Sequence, residues 1–273
     1  MKLVGVTLIV AIVMSVAATA QYKLQYKSTG SMPLHYKANT TVETDQTMMG
    51  QESKFNIVSN QFLTVSSIQS GSELVYSTMV DSGENMTILP SGDTKHIPSP
   101  SVGKVKETRI KPNGEELSTR WVDSTFANSQ AGQMKDLGSF FVKLPSSEIK
   151  TGATWNQVKV DTVGTAGAQG KVVVNTNTDY KLLGSENLAG VSCAKIQFSG
   201  KVNMKGAASI NGMDLAIDGS GTVSGVAYFD YAGGKIMKIS GASNQDITMA
   251  SAGDHPMTIP MTQKSNYELS LTK

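Results

Sequence analysis

Apolar and polar residues alternate with a period of two along most of this chain. The clearest run extends from Val172 to Leu182, where even positions are apolar or threonine and odd positions include Asn177 and Asp179. Successive side chains of a strand point to opposite faces, so this pattern predicts a strand with one buried and one wet face. Such strands are typical of antiparallel sheets, because the strands of parallel sheets are apolar on both faces.

Turn residues join the alternating runs into hairpins. The pattern resumes from Ala194 to Met204 after a turn with two glycines, and Ala232-Gly233-Gly234 links two later runs. Asn113-Gly114 predicts a third hairpin turn, between 104–110 and 115–121. Pro260 is predicted to lie at a sheet edge or bulge because proline cannot donate to the strand ladder. Further alternating runs begin at Tyr22, Leu34, Leu74, Ile247, Met257 and Tyr267.

These runs predict an all-β, antiparallel protein with a barrel-like or curved double-sheet structure of roughly ten to fourteen strands. Residues 21–273 are predicted to form one β-rich unit, and a division into halves 21–123 and 152–273 stays open. The segment 124–151 between them is predicted to be partly helical, with at most one or two short helices in the chain. The helix is expected from the loosely spaced apolar residues Phe126, Met134, Leu137, Phe140 and Phe141.

The first twenty residues have the three parts of a secretory signal peptide. Lys2 supplies the positive charge, an apolar stretch follows from Leu3, and Ala18-Thr19-Ala20 matches a cleavage site. We expect cleavage between Ala20 and Gln21 and an exported protein, periplasmic or extracellular. The stretch is shorter than the roughly 20 apolar residues of a membrane anchor, and no later segment approaches that length.

The net charge makes one class of partner unfavourable, and the cysteine content excludes an intramolecular disulfide. A net charge of +2, with 17% charged residues, makes nucleic acid an unfavourable partner because phosphate binding needs a concentrated positive patch. Cys193 is the single cysteine, so no intramolecular disulfide can form. Its surroundings predict a small residue on a strand, since no C-x-x-C motif or neighbouring histidine indicates a reactive thiol. A reactive Cys193 is the alternative.

Two segments of the second half resemble the pattern of an exported bacterial β-rich family of unknown function. The first is Leu144-Pro145 followed by Gly152 and Trp155, in the form Leu-Pro-x-x-x-(Ile/Val)-x-x-Gly-x-x-Trp, and the second is 227–231 with Tyr-Phe-Asp before Gly234. The resemblance implies export and a β-rich fold but no activity. A looser, architectural likeness links the predicted strands to periplasmic lipoprotein carriers, whose half-barrels hold acyl chains.

Motifs for catalysis or metal binding are missing. His35, His96 and His255 are far apart and show no paired spacing, so neither a metal site nor a cofactor is predicted. We therefore expect no catalytic residues. An enzyme would require Cys193 or a histidine to lie beside carboxylates in a cleft.

Methionine is the compositional feature that suggests a function. Met204, Met213, Met237, Met249, Met257 and Met261 crowd the last part of the chain. Flexible thioether side chains recur at adaptable apolar surfaces, although they also fill irregular cores. If the sheets curve into a barrel, the inward face would line a cavity. The residues then expected to touch a ligand are Phe198, Met204, Phe229 and Met237.

These observations predict an exported, non-enzymatic binding protein for an apolar or lipid-like ligand. The alternative is an envelope or extracellular structural module that binds protein or glycan partners. The sequence identifies no protein partner.

Overall fold

The structure is a computed structural model that describes residues 21–30, 32–48, 50–129, 132, 141–164, 169–210, 213–251 and 256–272. The predicted leader 1–20, including Ala20, lies outside these residues. So do His255 and three apolar residues of the predicted helix, Met134, Leu137 and Phe140.

The described residues form fourteen strands and one short helix. Three of the strands have 20 residues each, which is well beyond the usual 3–10. The strands are β1 Gln21–Tyr22, β2 Leu34–Met48, β3 Gln51–Ser70, β4 Glu73–Ile88, β5 Thr94–Pro98, β6 Val105–Ile110, β7 Glu116–Trp121, β8 Ile149–Lys150, β9 Thr154–Gly164, β10 Gln169–Leu188, β11 Val191–Ile210, β12 Met213–Asp230, β13 Lys235–Ser251 and β14 Met257–Leu271, and the helix is α1 Ser124–Ala127.

Twelve of these strands belong to one antiparallel sheet that curls into a half-barrel. Its order is β7-β6-β4-β3-β2-β14-β13-β12-β11-β10-β9, with β5 paired to β4. Ile110 on β6 and Tyr180 on β10 lie near opposite ends of this order yet belong to the same buried cluster, so the sheet is strongly curved. The pairing of β2 with β14 joins the strands of the two sequence halves. The predicted all-β, barrel-like fold is confirmed.

The hairpins expected from the alternating runs are present as β10–β11, β12–β13 and β6–β7. Pro260 pairs with Thr248 on β13, and the register of β14 with β2 begins only at Met261. At Pro260, β14 is therefore paired with another strand on one side only, which agrees with the expected edge position. Helix α1 overlaps the expected helical segment at Phe126.

The run at Tyr22, Leu24 and Tyr26 does not form the strand that its alternation suggests. Only Gln21–Tyr22 is a strand, paired with β8, and the chain then crosses one end of the half-barrel. Leu24 and Tyr26 are buried in the main cluster. Their apolar character reflects insertion into the core and not the inner face of a sheet.

We call the end of the sheet where Leu24 and Tyr26 are buried the packed end. The opposite end of the strands is the rim end. At the packed end, the Tyr26 hydroxyl donates to the Val142 carbonyl (3.1 Å) and accepts from the Val142 amide (2.8 Å). The ring packs edge-on against Phe141 and Phe229. The segments 21–30 and 141–149 therefore fill this end with the chain's own side chains.

The motif segments noted in the sequence build this packed end. Leu144 is fully buried, and Trp155 donates its indole N–H to the Lys143 carbonyl (2.7 Å). Asp230 accepts from the Gly233 amide (2.7 Å) and so shapes the β12–β13 turn. The next residue, Gly234, accepts from the Lys27 amide (3.0 Å). Both segments contact residues 21–30, because Ile149 of the first pairs with Tyr22 and Gly234 of the second accepts from Lys27.

The buried tyrosines give the fold a pH dependence in alkaline solution. Burial is the largest cause that raises the pKa of Tyr76, Tyr180 and Tyr267 to about 12, and it also raises the pKa values of Tyr26 and Tyr36. A pKa above the ordinary value of 10.0 means that folding favours the neutral phenol. This contribution to stability is complete below pH 10 and is lost as the pH rises towards 12.

We therefore expect tyrosinate absorbance from these five residues to appear together with unfolding. Parallel titrations by ultraviolet absorbance and near-ultraviolet circular dichroism would check this. Full ionisation of all tyrosines with an unchanged dichroism spectrum would contradict the burial described here.

Candidate binding site

The four residues expected at a ligand site do not lie together in the structure. Phe198 and Phe229 belong to the main cluster at the packed end, and Met204 belongs to a second cluster nearer the rim end. Met237 belongs to neither. A bulge opposite Tyr228 and Phe229 interrupts the alternation of β13, so Ile236 and Ile239 take the buried inner positions beside it.

Phe198 and Phe229 are packed by other parts of the protein. Phe229 has no exposed surface, and its ring centroid lies 5.1 Å from that of Tyr26. The ring of Phe198 packs closely against Gly225. A Cβ atom at that glycine would overlap the ring and the Ser240 carbonyl. These contacts give both aromatic residues a structural role. Their contact with a ligand stays a prediction.

The second cluster consists of side chains from the sheet alone. Its buried members are Val172, Val174, Val202 and Met204, and half-buried residues of β9, β12 and β13 pack against them. This differs from the packed end, where residues 21–30 and 141–149 contribute to the cluster.

Methionine and isoleucine continue this inner surface across β12, β13 and β14. The register places Met249 between Ile217 and Ile259, and Met261 beside Ile247. Most of these side chains are only half-buried. We call this surface the methionine strip, and it consists of Met204, Ile217, Ile247, Met249, Ile259 and Met261.

A neutral polar surface adjoins the methionine strip on the same inner face. The Ser243 and Ser265 hydroxyls are 2.9 Å apart, and Thr44, Gln263 and Gln245 form one register row across β2, β14 and β13. We call this surface the polar patch; it consists of Thr44, Ser243, Gln245, Gln263 and Ser265.

Gln245 is the unusual member of the polar patch. It is only 8% exposed, and its Oε1 has no hydrogen-bond partner among the described residues. Its Nε2 lies at 3.5 Å from the Ser243 hydroxyl, the long limit of a hydrogen bond. A Cβ atom at Gly221 would lie 2.8 Å from Gln245 Cγ, so this glycine makes room for the side chain on the inner face. Leaving a buried acceptor unpaired costs about 1–3 kcal/mol.

Charged residues bridge the two edge strands of the sheet. Lys159 on β9 donates to Glu116 on β7 (2.5 Å) and lies 3.1 Å from Asp161. Burial would lower the pKa of Lys159, but the hydrogen bonds and charges of Glu116 and Asp161 together raise it. The Lys159–Glu116 pair therefore joins β7 to β9, whereas Lys159 and Asp161 belong to the same strand.

A second set of charges fixes the segment 141–149 near the same edges. Lys143 and Lys111 lie 2.8 Å and 2.7 Å from the Glu115 carboxylate. Hydrogen bonds from Lys111 and Lys143 lower the pKa of Glu115 to about 2. Because Glu115 is substantially exposed, solvent screening keeps the contribution of these pairs small.

Cys193, His35 and His96, the described residues that were considered for catalysis, lie on three different strands. Cys193 is buried, and burial followed by the charge of Asp230 raises the pKa of its thiol. His35 Nδ1 lies 3.0 Å from the Thr64 hydroxyl, and His96 Nδ1 lies 2.5 Å from an exposed Glu84 carboxylate. A search of the described residues finds no group of three or more His, Cys, Asp or Glu that could hold a metal ion.

Sequence reasoning identified Met204 and the methionine-rich region but missed the polar patch. Gln245, Gln263 and the serines resemble wet-face residues by type alone. Gln263 and Ser265 nevertheless keep the phase of the apolar positions Met261 and Tyr267, which was the sequence signal for their direction. The register establishes the inward direction, with Ile239 and Leu269 as buried inner-face neighbours.

Comparisons with known proteins identify no family. No protein-family model matches the sequence, and no curated protein matches it. Among solved structures, Neisserial surface protein A aligns at 6% identity over 87% of this chain and 97% of that chain, with a TM-score of 0.23. OccK2 of Pseudomonas aeruginosa aligns at 7% identity over 93% and 100%, with a TM-score of 0.26.

An OmpT loop-deletion mutant, an outer membrane protein of Vibrio cholerae, aligns at 8% identity over 88% of this chain and 99% of that chain. Its TM-score is 0.20. TM-scores this low do not establish a common fold.

Proposed function

We propose that this chain is an exported, non-enzymatic binding protein that holds an apolar or lipid-like molecule on the inner face of its half-barrel. The observation that carries the proposal is the methionine strip, an inward-facing apolar surface that is largely half-buried. Concave apolar surfaces bearing a few polar groups are typical of small-molecule sites. Methionine side chains adapt to ligands of different shape.

The contrast between the two ends of the half-barrel supports this location. At the packed end, Leu24, Tyr26 and Phe141 occupy the space inside the curved sheet. At the second cluster, the packed side chains come from strands only. An apolar ligand would cover the methionine strip as residues 21–30 and 141–149 cover the packed end.

Charged and polar side chains on the outer face of the sheet support the proposal that this face is in contact with water. Lys201 and Asn203 on β11 and Lys264 on β14 are exposed along the middle of their strands. A transmembrane barrel has the opposite arrangement, with an apolar outer band and a polar interior. No helix among the residues described is long and apolar enough to cross a membrane.

Export and family membership are parts of the same proposal. The leader pattern at 1–20 and the cleavage motif before Gln21 support secretion to the periplasm or the exterior. The Leu144-Pro145 and Tyr228-Phe229-Asp230 segments support a place in the exported β-rich family that they resemble. The half-barrel is also compatible with the likeness to lipoprotein carriers.

A structural module that binds protein is the second candidate, and the outer face of β9 favours it. Val158 and Val160 are 68% and 62% exposed on this edge strand. Exposed apolar residues at a sheet edge are a common feature of surfaces that pair with another chain.

Native mass spectrometry of residues 21–273, purified from their own envelope, separates the two candidates. The binding proposal expects a discrete lipid-sized adduct, and an organic extract of the same sample identifies its class. A mass equal to that of the bare chain would contradict the proposal and favour the structural module.

A charge on the methionine strip should weaken ligand binding. We expect Met249→Glu to reduce the affinity for a pyrene-labelled long-chain alcohol by about tenfold, because the introduced carboxylate must lose water to contact an apolar chain. Met79→Glu is the matched control, since Met79 is 37% exposed on the outward side of β4. Fluorescence titration measures the affinities, and thermal unfolding shows whether each variant is folded. A folded Met249→Glu variant that binds like the parent would place the ligand elsewhere.

A further inference from the structure

We propose that the polar patch is a subsite that binds the hydroxyl group of a neutral amphiphile, whose apolar part lies on the methionine strip. This inference rests on the proposed function and specifies the class of its ligand. The ligand would be an uncharged apolar molecule bearing a hydroxyl group, such as a long-chain alcohol.

The Oε1 of Gln245 has no hydrogen-bond partner among the described residues, and from this we infer that a ligand supplies the donor. Buried polar groups in proteins nearly always have a partner, and each exception calls for an explanation. Gln245 lies on the inner face, in register with Gly221 on one side and Gln263 on the other. Gln263 is half-buried, so this row keeps some accessible surface on the concave side, next to the buried Gln245.

The chemistry of the polar patch favours a neutral group over an ion. None of its five side chains carries a charge, and they consist of hydroxyls and amides. A carboxylate or phosphate on this surface would lose water without gaining a counter-charge from these five side chains. A hydroxyl can donate to the Gln245 oxygen and accept from a serine, threonine or glutamine, so it matches both types of group.

The position of the polar patch sets the orientation of the amphiphile. Gln245 and Ile247 are consecutive inner-face positions of β13, as Gln263 and Met261 are of β14. Such positions lie about 7 Å apart along a strand. The hydroxyl would therefore lie towards the packed end, and the apolar part would extend over the methionine strip towards the rim end.

A matched pair of probes tests the subsite: a pyrene-labelled long-chain alcohol and its methyl ether, which cannot donate a hydrogen bond. We expect residues 21–273 to bind the alcohol about tenfold more tightly than the ether. Gln245→Leu should remove this difference by weakening alcohol binding alone. The variant should fold well, because leucine has similar volume and removes an unpaired acceptor. Gln197→Leu, on the exposed outer side of β11, is the control and should keep the difference.

The outcomes distinguish this inference from the proposed function. Equal affinity for alcohol and ether, with both probes weakened by Met249→Glu, would overturn the hydroxyl subsite and leave the proposed function intact. A preference for the alcohol that survives Gln245→Leu would also overturn it. If neither probe binds the parent protein, the proposed function fails and the subsite fails with it.

Discussion

Replacing Tyr26 with alanine is expected to lower the free energy of unfolding by about 3–5 kcal/mol. Tyr26 is buried, and its ring packs edge-on against Phe141 and Phe229. Its hydroxyl pairs with both the amide and the carbonyl of Val142. Removing the side chain would leave a cavity and two unpaired backbone groups at the packed end. Urea unfolding followed by circular dichroism measures the change.

Tyr26→Phe separates the two contributions. It keeps the ring and removes only the hydroxyl, so the expected loss is about 1–3 kcal/mol from the unpaired Val142 groups. Lys23→Ala in the same segment is the control for a general effect of substitution, because Lys23 is exposed. If Tyr26→Ala were no less stable than Lys23→Ala, residues 21–30 would not be part of the core.

Phe229→Ala should have a comparable effect, with an expected loss of about 3–5 kcal/mol. Phe229 is fully buried between Ala194 and Ile236 in the sheet register and contacts Tyr26 across the half-barrel. Tyr228→Ala is the matched control, since Tyr228 lies on the opposite face, where Lys195 lies over its ring. The control should lose no more than about 1 kcal/mol.

Urea unfolding measures the stability of both variants. Fluorescence titration of Phe229→Ala then tests the ligand contact expected at Phe229. At a temperature where the variant is folded, an affinity for the pyrene-labelled alcohol below that of the parent would support the ligand contact predicted at Phe229, and an unchanged affinity would confine the ligand to the methionine strip. A large loss of stability at Tyr228→Ala, or none at Phe229→Ala, would contradict the inner position of Phe229.

Part of the candidate site could be predicted from the sequence. Met204 was expected to face inward because it continues an alternating run, and the structure buries it in the second cluster. At Met237 a bulge near Phe229 shifts the alternation by one residue, and the ligand contact expected there stays a prediction. No residue in the sequence marks that bulge clearly.

Strands β3 and β9 show why sequence patterns alone were insufficient. β3 lacks a clean alternation, so it was not predicted, although its pairing with β2 and β4 spans most of its length. In β9 the apolar residues Val158 and Val160 point outward, and Lys159 and Asp161 lie on the inner side. At the edge of a curled sheet the inner face also carries the ion pairs that hold the two edges together.

The sequence by itself determined the all-β class and three antiparallel hairpins with their turns, because these depend on neighbours a few residues apart. The tertiary structure decided which segments fill the packed end and which inner surface is left for a ligand. Tyr26 and Val142 are 116 residues apart in the chain, and their contact exists only once the sheet has curled. The curling of the sheet also buries the Oε1 acceptor of Gln245 beside the methionine strip.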